Sequence, residues 1–411
     1  MSTRAIAMLP CVIGSWKELG GGLQLSTSGG IAFNTKALKR ADLMTTALGR
    51  EARTVNMVEL GRALNDLDDP PVKALFVYGS NPAAVCPRHS EVVRGLLRPD
   101  LFTVVHEQFF TDTTDYADIV LPATTFFEHK DLQKAYGHYY VQVSNQAIRP
   151  LGECRSNVEV FRALAERLDL EDDCFRESVD QMIDLALQSA DPWLEGITRE
   201  RLELGPVRLN FGGQESAARD QKLEASGEAP EPAVAQRIPF LPFAEGNFRT
   251  PSGKAELYSE ALKAQGLDPV AEFKPPSESR HGEKNGFPLE LLARKADNFL
   301  NSTFSNLPAH EQMEETGLVE MSAADAEPRG IRDGDRVRVF NRRGGVELKA
   351  RVDGKVQPGM VSAKLNWAKT APGFQSINSL TSEKLTDMGN SATFYSVLVE
   401  VEKISDRVTD H

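Results

Sequence analysis

The sequence predicts an α/β fold in which a parallel-sheet α/β domain is followed by a closed β-barrel. Three observations carry this. The first is a βαβ pattern: Ala74-Leu75-Phe76-Val77-Tyr78 is a continuous apolar run of the kind parallel strands show when both faces are covered. It ends in Gly79-Ser80-Asn81-Pro82 and leads through a helical stretch, Pro87–Leu97, to a second apolar strand, Leu101–His106; a third, Asp118–Leu121, stops at Pro122. The second is a set of short strand-like runs near the end, Val337–Phe340, Val346–Val352 and Met360–Lys364, cut apart by glycines and Pro358, as in small closed barrels. Within the first of these, Arg336-Val337-Arg338-Val339 alternates arginine and valine, which puts the valines on one face. The third is size: 411 residues, 41% hydrophobic, are enough for two or three domains with real cores.

The remaining elements follow in order. Residues 4–30 open with an apolar run interrupted by Pro10 and continue into Gly20-Gly21-Gly22; with no A-x-A-like cleavage site the run reads as a core segment, and the glycines as a flexible turn. No apolar run approaches the roughly 18 residues a membrane helix needs, so a cytoplasmic chain without membrane insertion is expected. Thr54–Leu67 has helical apolar spacing and is stopped by Asp68-Asp69-Pro70-Pro71. Glu128-His129-Lys130-Asp131, with His138 nearby, fits no metal-ligand spacing and is expected to be structural. Ser156-Asn157-Val158-Glu159 is a capping box for a helix to about Leu168, and Ser178–Leu187 reads as another helix. Residues 212–236 and Lys274–Asn285 have linker composition; Phe248–Glu260 reads as a turn followed by a strand, and Leu289–Arg294 as the strand that opens the barrel. The expected domains are residues 1–190 (α/β), 191–285 (connecting region with linkers), 286–403 (barrel) and 404–411 (tail).

Charge and cysteine content narrow the function. The chain is acidic overall, net −12, which argues against nucleic acid as a partner. From Asp325 to Lys364, however, ten Lys/Arg face six Asp/Glu. Such a basic barrel suits an anionic ligand, but the spacing alone favours arginines that merely coat a solvated face. Cys11, Cys86, Cys154 and Cys174 form no C-x-x-C pair, so no iron–sulfur cluster and no structural zinc is encoded in this chain.

The motifs taken together resemble one family. GI-x-DGD-x-V-x-V-x-N-x-RG, then V-x-PG, then Trp367 resembles the C-terminal barrel of the dimethyl sulfoxide reductase and formate dehydrogenase family of molybdopterin oxidoreductases. VYGSNP and FTDTTDYADIVLPA resemble that family's α/β loops, Arg294 with Asn301-Ser302-Thr303 its pterin and pyrophosphate element, and Asn378-Ser379-Leu380-Thr381 its N-x-LT. The resemblance implies a double-psi β-barrel and a bis(molybdopterin guanine dinucleotide) cofactor carrying molybdenum or tungsten. Its contacts would be Gly79, Ser80, Asn81, Pro82, His106, Thr111, Asp118, Arg294, Asn301, Ser302, Thr303, Trp367, Asn378 and Thr381. Glu128 matches the family while its surrounding loop, EHKDLQKAYGHYY, departs from it. The likeness covers only the C-terminal part of the family's architecture, without the cysteine cluster or the metal-ligand segment. The expectation is therefore a chain inactive alone, partnered by an N-terminal iron–sulfur and catalytic polypeptide that covers Ala5–Leu9 and Val12–Ile13. The alternative is a noncatalytic cofactor-binding or carrier module.

Overall fold

The computed structural model describes residues 1–210, 241–243, 245–282, 286–364 and 375–405. The linker expected at 212–236 and Trp367 lie outside these residues. The chain forms two compact units, each assembled from two stretches: Met1–Ala52 with Thr124–Lys274, and Arg53–Ala123 with Pro275–His411. This division crosses the expected boundaries at 190 and 286, because the α/β strands belong to the same unit as the barrel.

That α/β layer is a three-stranded parallel sheet of β1 (Ala74–Tyr78), β2 (Phe102–Glu107) and β3 (Ile119–Pro122), in that order. Ala74 pairs with Phe102, Tyr78 with His106, and Val104 with Ile119. Leu64, Ala83, Cys86, Val92, Leu96 and Leu101 make its core. β1 is not covered on both faces as expected: Val77 is buried, but Tyr78 at its end and Phe102 on β2, opposite Ala74, are half exposed. The helix expected over Thr54–Leu67 begins as a 3₁₀ turn, Met57–Glu59, because Asn56 caps it by accepting from the Val58 N–H, and continues as Leu60–Asp66. The one expected over Pro87–Leu97 is His89–Leu96, entered through Arg88 at φ +52°, and a short helix, Pro82–Val85, precedes it.

The Leu60–Asp66 and His89–Leu96 helices approach each other at glycines. A Cβ on Gly95 would stand 2.5 Å from Leu64 Cβ, and one on Gly61 would stand 2.9 Å from Glu91 Cβ. Alanine is the better helix former by about 1 kcal/mol, but overpacking a tight contact costs about 1–3 kcal/mol. Gly95→Ala is therefore expected to lower stability in urea unfolding despite its propensity gain; a rise in stability would show that the helices are free to separate.

The other unit holds an antiparallel sheet of β4 (Asp131–Lys134), β5 (Tyr140–Ser144) and β6 (Val207–Arg208), order β4-β5-β6. The parallel sheet ends at Pro122, where the third expected strand stops. Ile31, Val141, Val143, Ile183, Leu194 and Leu202 fill this core. The helices Asn157–Arg167 and Val179–Leu187 both start in full capping boxes, Ser156 with Glu159 and Ser178 with Gln181. The strand expected within Phe248–Glu260 does not form: turns and bends lead to a bridge between Tyr258 and Val270 and a short helix, Glu260–Ala264. The opening segment is the helix Ser2–Val12; Pro10 is buried but Ile6, Leu9 and Val12 are exposed, so it is not a core segment of this unit.

The barrel comprises β7 (Leu289–Arg294), β8 (Leu318–Met321), β9 (Arg336–Asn341), β10 (Gly344–Arg351), β11 (Met360–Lys364) and β12 (Leu398–Lys403). It closes in the order β10-β8-β11-β7-β12-β9. Alternation decides what faces inward: Val337, Val339, Leu289, Leu291, Val319, Met321, Val361, Val399 and Val401 fill the interior. The outward arginines meet carboxylates, Arg336 with Glu347 at 2.9 Å, Arg338 with Glu402 at 3.2 Å and Arg329 with Glu400 at 2.6 Å. Much of the local positive charge is therefore taken up in surface pairs, each worth little to stability. Part of the second expected linker is fastened to the barrel: Glu278 accepts from both Arg343 guanidinium nitrogens, at 2.8 and 2.7 Å.

Candidate functional site

In an open parallel sheet the loops beyond the carboxyl ends of the strands have free backbone donors, and ligands gather there. Here those loops are locked to one another. Asn81 is buried; its Nδ2 donates to Asp112 Oδ2 at 3.1 Å, and its Oδ1 accepts from Thr113 N (3.1 Å) and Thr113 Oγ1 (2.7 Å). Ala83 N donates to Thr113 Oγ1 at 3.1 Å, and Thr114 Oγ1 donates to the Thr111 carbonyl at 2.7 Å. The Gly79–Pro82 turn, with Gly79 at φ +56°, and the Thr111–Thr114 turn thus form one rigid rim, on which Ser80 is exposed. A segment of the barrel unit closes on the same rim. Asn378 Nδ2 donates to the Ala84 carbonyl at 2.9 Å, and Thr381 Oγ1 donates to the Asn378 carbonyl at 3.1 Å.

Among the described residues, two buried polar atoms near this rim, His106 Nε2 and Thr111 Oγ1, have no hydrogen-bond partner. His106 Nδ1 lies 3.2 Å from the Leu121 carbonyl, which makes it the protonated nitrogen and leaves Nε2 as a buried acceptor without a donor. Thr111 Oγ1 is likewise buried and unpaired. An unsatisfied buried polar atom costs about 1–3 kcal/mol, and such atoms mark places where a ligand or an ordered water completes the structure. A nucleotide or pterin, rich in donors and acceptors, fits that requirement.

Asp118 is not part of this rim. It stands at the opposite, amino end of β3, where its carboxylate accepts from Thr103 N at 2.6 Å and extends the sheet.

Arg294 and the Asn301–Thr303 turn keep other company. Arg294, at the end of β7, places one guanidinium nitrogen 3.0 Å from both Glu320 oxygens, while its Nε is buried and unpaired. It lines a cavity of about 540 Å³ on the barrel's outer wall, together with Glu320, Arg351, Lys355, Lys364 and Glu314. The turn itself is closed by Leu300 N to Thr303 O (3.0 Å) and Thr303 N to Leu300 O (2.8 Å), with Asn301 at φ +54°. It leaves Asn301 and Thr303 exposed and Ser302 half-buried. No hydrogen bond joins this group to the Asn81 rim among the described residues.

What fastens Asn298, just before the Asn301–Thr303 turn, was not apparent in the sequence. Glu314 has a fully buried side chain that accepts from the Asn298 backbone N–H and from Asn298 Nδ2 (2.7 Å), and it is paired with Lys364 Nζ at 2.5 Å. Burial alone would raise the Glu314 carboxyl; the Lys364 ammonium and the Asn298 donors outweigh it and hold the group below its ordinary range. Asp112 and Thr113 lie inside the Thr111–Asp118 stretch expected at the site; what they do there, locking the rim, is turn chemistry that their repeated Thr/Asp pattern next to a strand end signals. Glu128 serves a turn, accepting from Thr125 N, Thr125 Oγ1 and Leu151 N. Among the described residues no cluster of three or more His, Cys, Asp or Glu could hold a metal ion. The four cysteines are free, and burial pushes the Cys86 thiol up to about 11. No described helix is long and apolar enough to cross a membrane.

Comparison with known proteins gives this geometry its context. Residues 3–167 match the family described as molybdopterin oxidoreductase, and residues 289–398 match the molydopterin dinucleotide binding domain. The chain is 40% identical over 406 residues to the probable oxidoreductase YoaE of Bacillus subtilis, covering 98% of this chain and 54% of that protein. It is 28% identical to the dimethyl sulfoxide reductase DmsA of Escherichia coli, covering 82% of this chain and 42% of DmsA. In fold it resembles acetylene hydratase from Pelobacter acetylenicus, with a TM-score of 0.64 at 19% identity over 91% of this chain and 51% of that one. The chain thus spans about half the length of the relatives it matches. The matched domains run from residue 3 to residue 398, which gives no support to the expectation of a C-terminal portion only. The chain therefore carries one segment that matches a molybdopterin oxidoreductase domain and one that matches a dinucleotide-binding domain of the kind that takes a molybdenum or tungsten pterin cofactor.

Proposed function

We propose that the second unit holds a guanine dinucleotide arm of a bis(molybdopterin guanine dinucleotide) cofactor, on a barrel of double-psi type, as part of an oxidoreductase. The observation that carries this is the locked rim of Gly79–Pro82, Thr111–Thr114 and Asn378–Thr381 over two unpaired buried atoms, His106 Nε2 and Thr111 Oγ1. The rim orients the nucleotide, His106 accepts a ligand donor, and the Thr111 hydroxyl supplies a second hydrogen bond, directly or through a held water. Arg294 and the Asn301–Thr303 turn present a cation and small polar donors suited to a diphosphate, with Glu320 as the carboxylate that the anion displaces. When bound, the metal of such a cofactor supplies the electron transfer to or from substrate. Ligation of that metal and any iron–sulfur centre are assigned to protein outside this chain, whose cysteines are widely separated in sequence.

Isothermal titration with guanosine diphosphate tests the reading. Thr111→Val removes an unpaired buried hydroxyl, so stability should hold or rise by up to about 1 kcal/mol. Nucleotide affinity should fall by about three- to tenfold, the worth of one hydrogen bond. Arg294→Ala should weaken a diphosphate more than the nucleoside. Wild-type protein that ignores guanine nucleotide, or both variants binding as wild type, would remove the assignment.

A further inference from the structure

We propose that the Met360 end of the cavity on the barrel's outer wall binds a small organic anion, a single carboxylate carried on an apolar body. Strand pairing builds the site. Arg351 on β10 pairs with Glu320 on β8, Glu320 with Ser362 on β11, and Ser362 with Leu292 on β7. Paired residues of adjacent strands share a face, and their neighbours Ala350, Val319, Val361 and Leu291 point into the core, so this row lies on the outside. It grades from a guanidinium at one edge to an aliphatic side chain at the other. Leu318, Val356 and Met360 border the same cavity and enlarge its apolar side. Along β11 the cavity runs from Lys364 to Met360, about 13 Å at the usual strand rise. Arg294 pairs with Lys364 at the first end, the one proposed for a diphosphate. Lys355 and Gln357 lie in the turn that leads into Met360 at the second.

The polar groups at this end have capacity to spare. Arg351 gives one guanidinium nitrogen to Glu315, at 3.1 Å, and its fork makes no other hydrogen bond among the described residues. Such a fork takes a carboxylate through two parallel bonds. The Lys355 ammonium is paired with Asp353 at 3.1 Å, on the surface. Ser362 is only 6% exposed and lines the cavity, yet its hydroxyl makes no hydrogen bond among the described residues. The carboxylate on the row is already occupied, since both Glu320 oxygens accept from Arg294 at 3.0 Å. Among the described residues four cationic side chains line the cavity, Arg294, Arg351, Lys355 and Lys364, against three carboxylates, Glu314, Glu315 and Glu320. The excess is one positive charge, which a monoanion neutralises and a monovalent cation doubles. Acetate or phosphate would meet the charge but leave Leu292, Leu318 and Met360 wet, and an uncharged apolar molecule would leave the Arg351 fork unfilled. The site does not rest on the nucleotide reading, because none of its contacts belongs to the Asn81 rim.

Isothermal titration of the full chain with hexanoate at neutral pH is the test, with acetate, hexan-1-ol and hexylammonium as comparison ligands. Hexanoate should bind at least about tenfold more tightly than each of the three. Lys355→Glu turns the excess of positive charge into a deficit. Lys355 is an exposed turn residue, so the urea midpoint should not move, while hexanoate affinity should fall at least about tenfold. Ser362→Ala removes one hydroxyl and should weaken hexanoate by about three- to tenfold. The guanosine diphosphate titration should be the same with and without hexanoate. Acetate or hexan-1-ol binding as tightly as hexanoate, tighter binding of hexylammonium, or both variants behaving as wild type overturns the proposal. So does competition between hexanoate and guanosine diphosphate, because the whole cavity then belongs to the nucleotide. Wild-type protein that takes hexanoate with this selectivity but ignores guanosine diphosphate would remove the nucleotide assignment and leave the anion site standing.

Discussion

Lys364→Met should destabilise the protein by about 3–5 kcal/mol, measured as a lower urea midpoint with an unchanged slope. The reason is its partner. Glu314 has no exposed side-chain surface, and the ammonium of Lys364 lies 2.5 Å from its carboxylate and 2.8 Å from its backbone carbonyl. Without Lys364 a buried carboxylate has only the Asn298 donors, and must either stay ionised at high cost or take up a proton. The double variant Glu314→Gln, Lys364→Met should recover much of the loss, since glutamine still accepts from Asn298 and carries no charge. The pH dependence follows the sign of the shift. Because the folded carboxyl is held below its ordinary range, its contribution is present above the unfolded value near 4.5 and is lost as pH falls through the lower folded value. The single Lys364→Met variant should lose that acid-side slope. If it is as stable as wild type at neutral pH, the pair contributes nothing and Asn298 is held by other means.

Asn81→Asp is the second large effect, and it separates shape from hydrogen-bond polarity. The substitution keeps an acceptor for Thr113 N–H but replaces the amide donor with a second carboxylate facing Asp112 at hydrogen-bond distance, in a buried site. Two buried like charges at that range cannot both stay ionised, so one must protonate. A loss of about 2–4 kcal/mol is expected at pH 7, recovering at acid pH as one carboxyl takes a proton and restores a donor. Guanosine diphosphate affinity should drop at least tenfold at pH 7 and return in part on acidification. Asn81→Ala should lose stability without the acid recovery. Identical pH profiles for the two variants would mean that Asp112 is not the group opposite Asn81.

The fold was legible where local pattern and global environment agree. The Met360–Lys364 strand, both capping-box helices and the inward valines of Arg336–Asn341 lie where period and caps put them. The helix predicted over Pro87–Leu97 stands as His89–Leu96, and only its start at Arg88, φ +52°, has no signature in an arginine. The first segment misled because apolar periodicity says which face avoids water, not which molecule covers it. At the site, glycine, proline and small polar residues at strand ends marked the loops, since turn chemistry is local. The partners that hold those loops are not local. Asn81 finds Asp112 and Thr113 about thirty residues on, Ala84 finds Asn378 nearly three hundred residues away, and Glu314 finds Lys364 fifty residues on, at the end of a neighbouring strand. Asp118, within a matching motif, accepts from Thr103 N–H at the amino end of its strand, a contact its sequence position does not announce.

The two-stretch construction of the second unit also sets a schedule. Its parallel layer is complete in sequence by Ala123, but the barrel it belongs with does not close until β12 at Leu398–Lys403. At about 5–20 residues per second the ribosome needs roughly 15–55 s to make the intervening chain. During that interval Ala84 has no Asn378 to bond, and Val77, Val105 and their neighbours must persist as a small three-stranded sheet. Joining strands so distant in sequence is slow even once they exist, because loop closure must be met before any contact rewards it. Cells that make this protein therefore carry a half-built unit for tens of seconds per molecule, and its yield should depend on translation speed and on chaperone supply more than on the final strength of the fold.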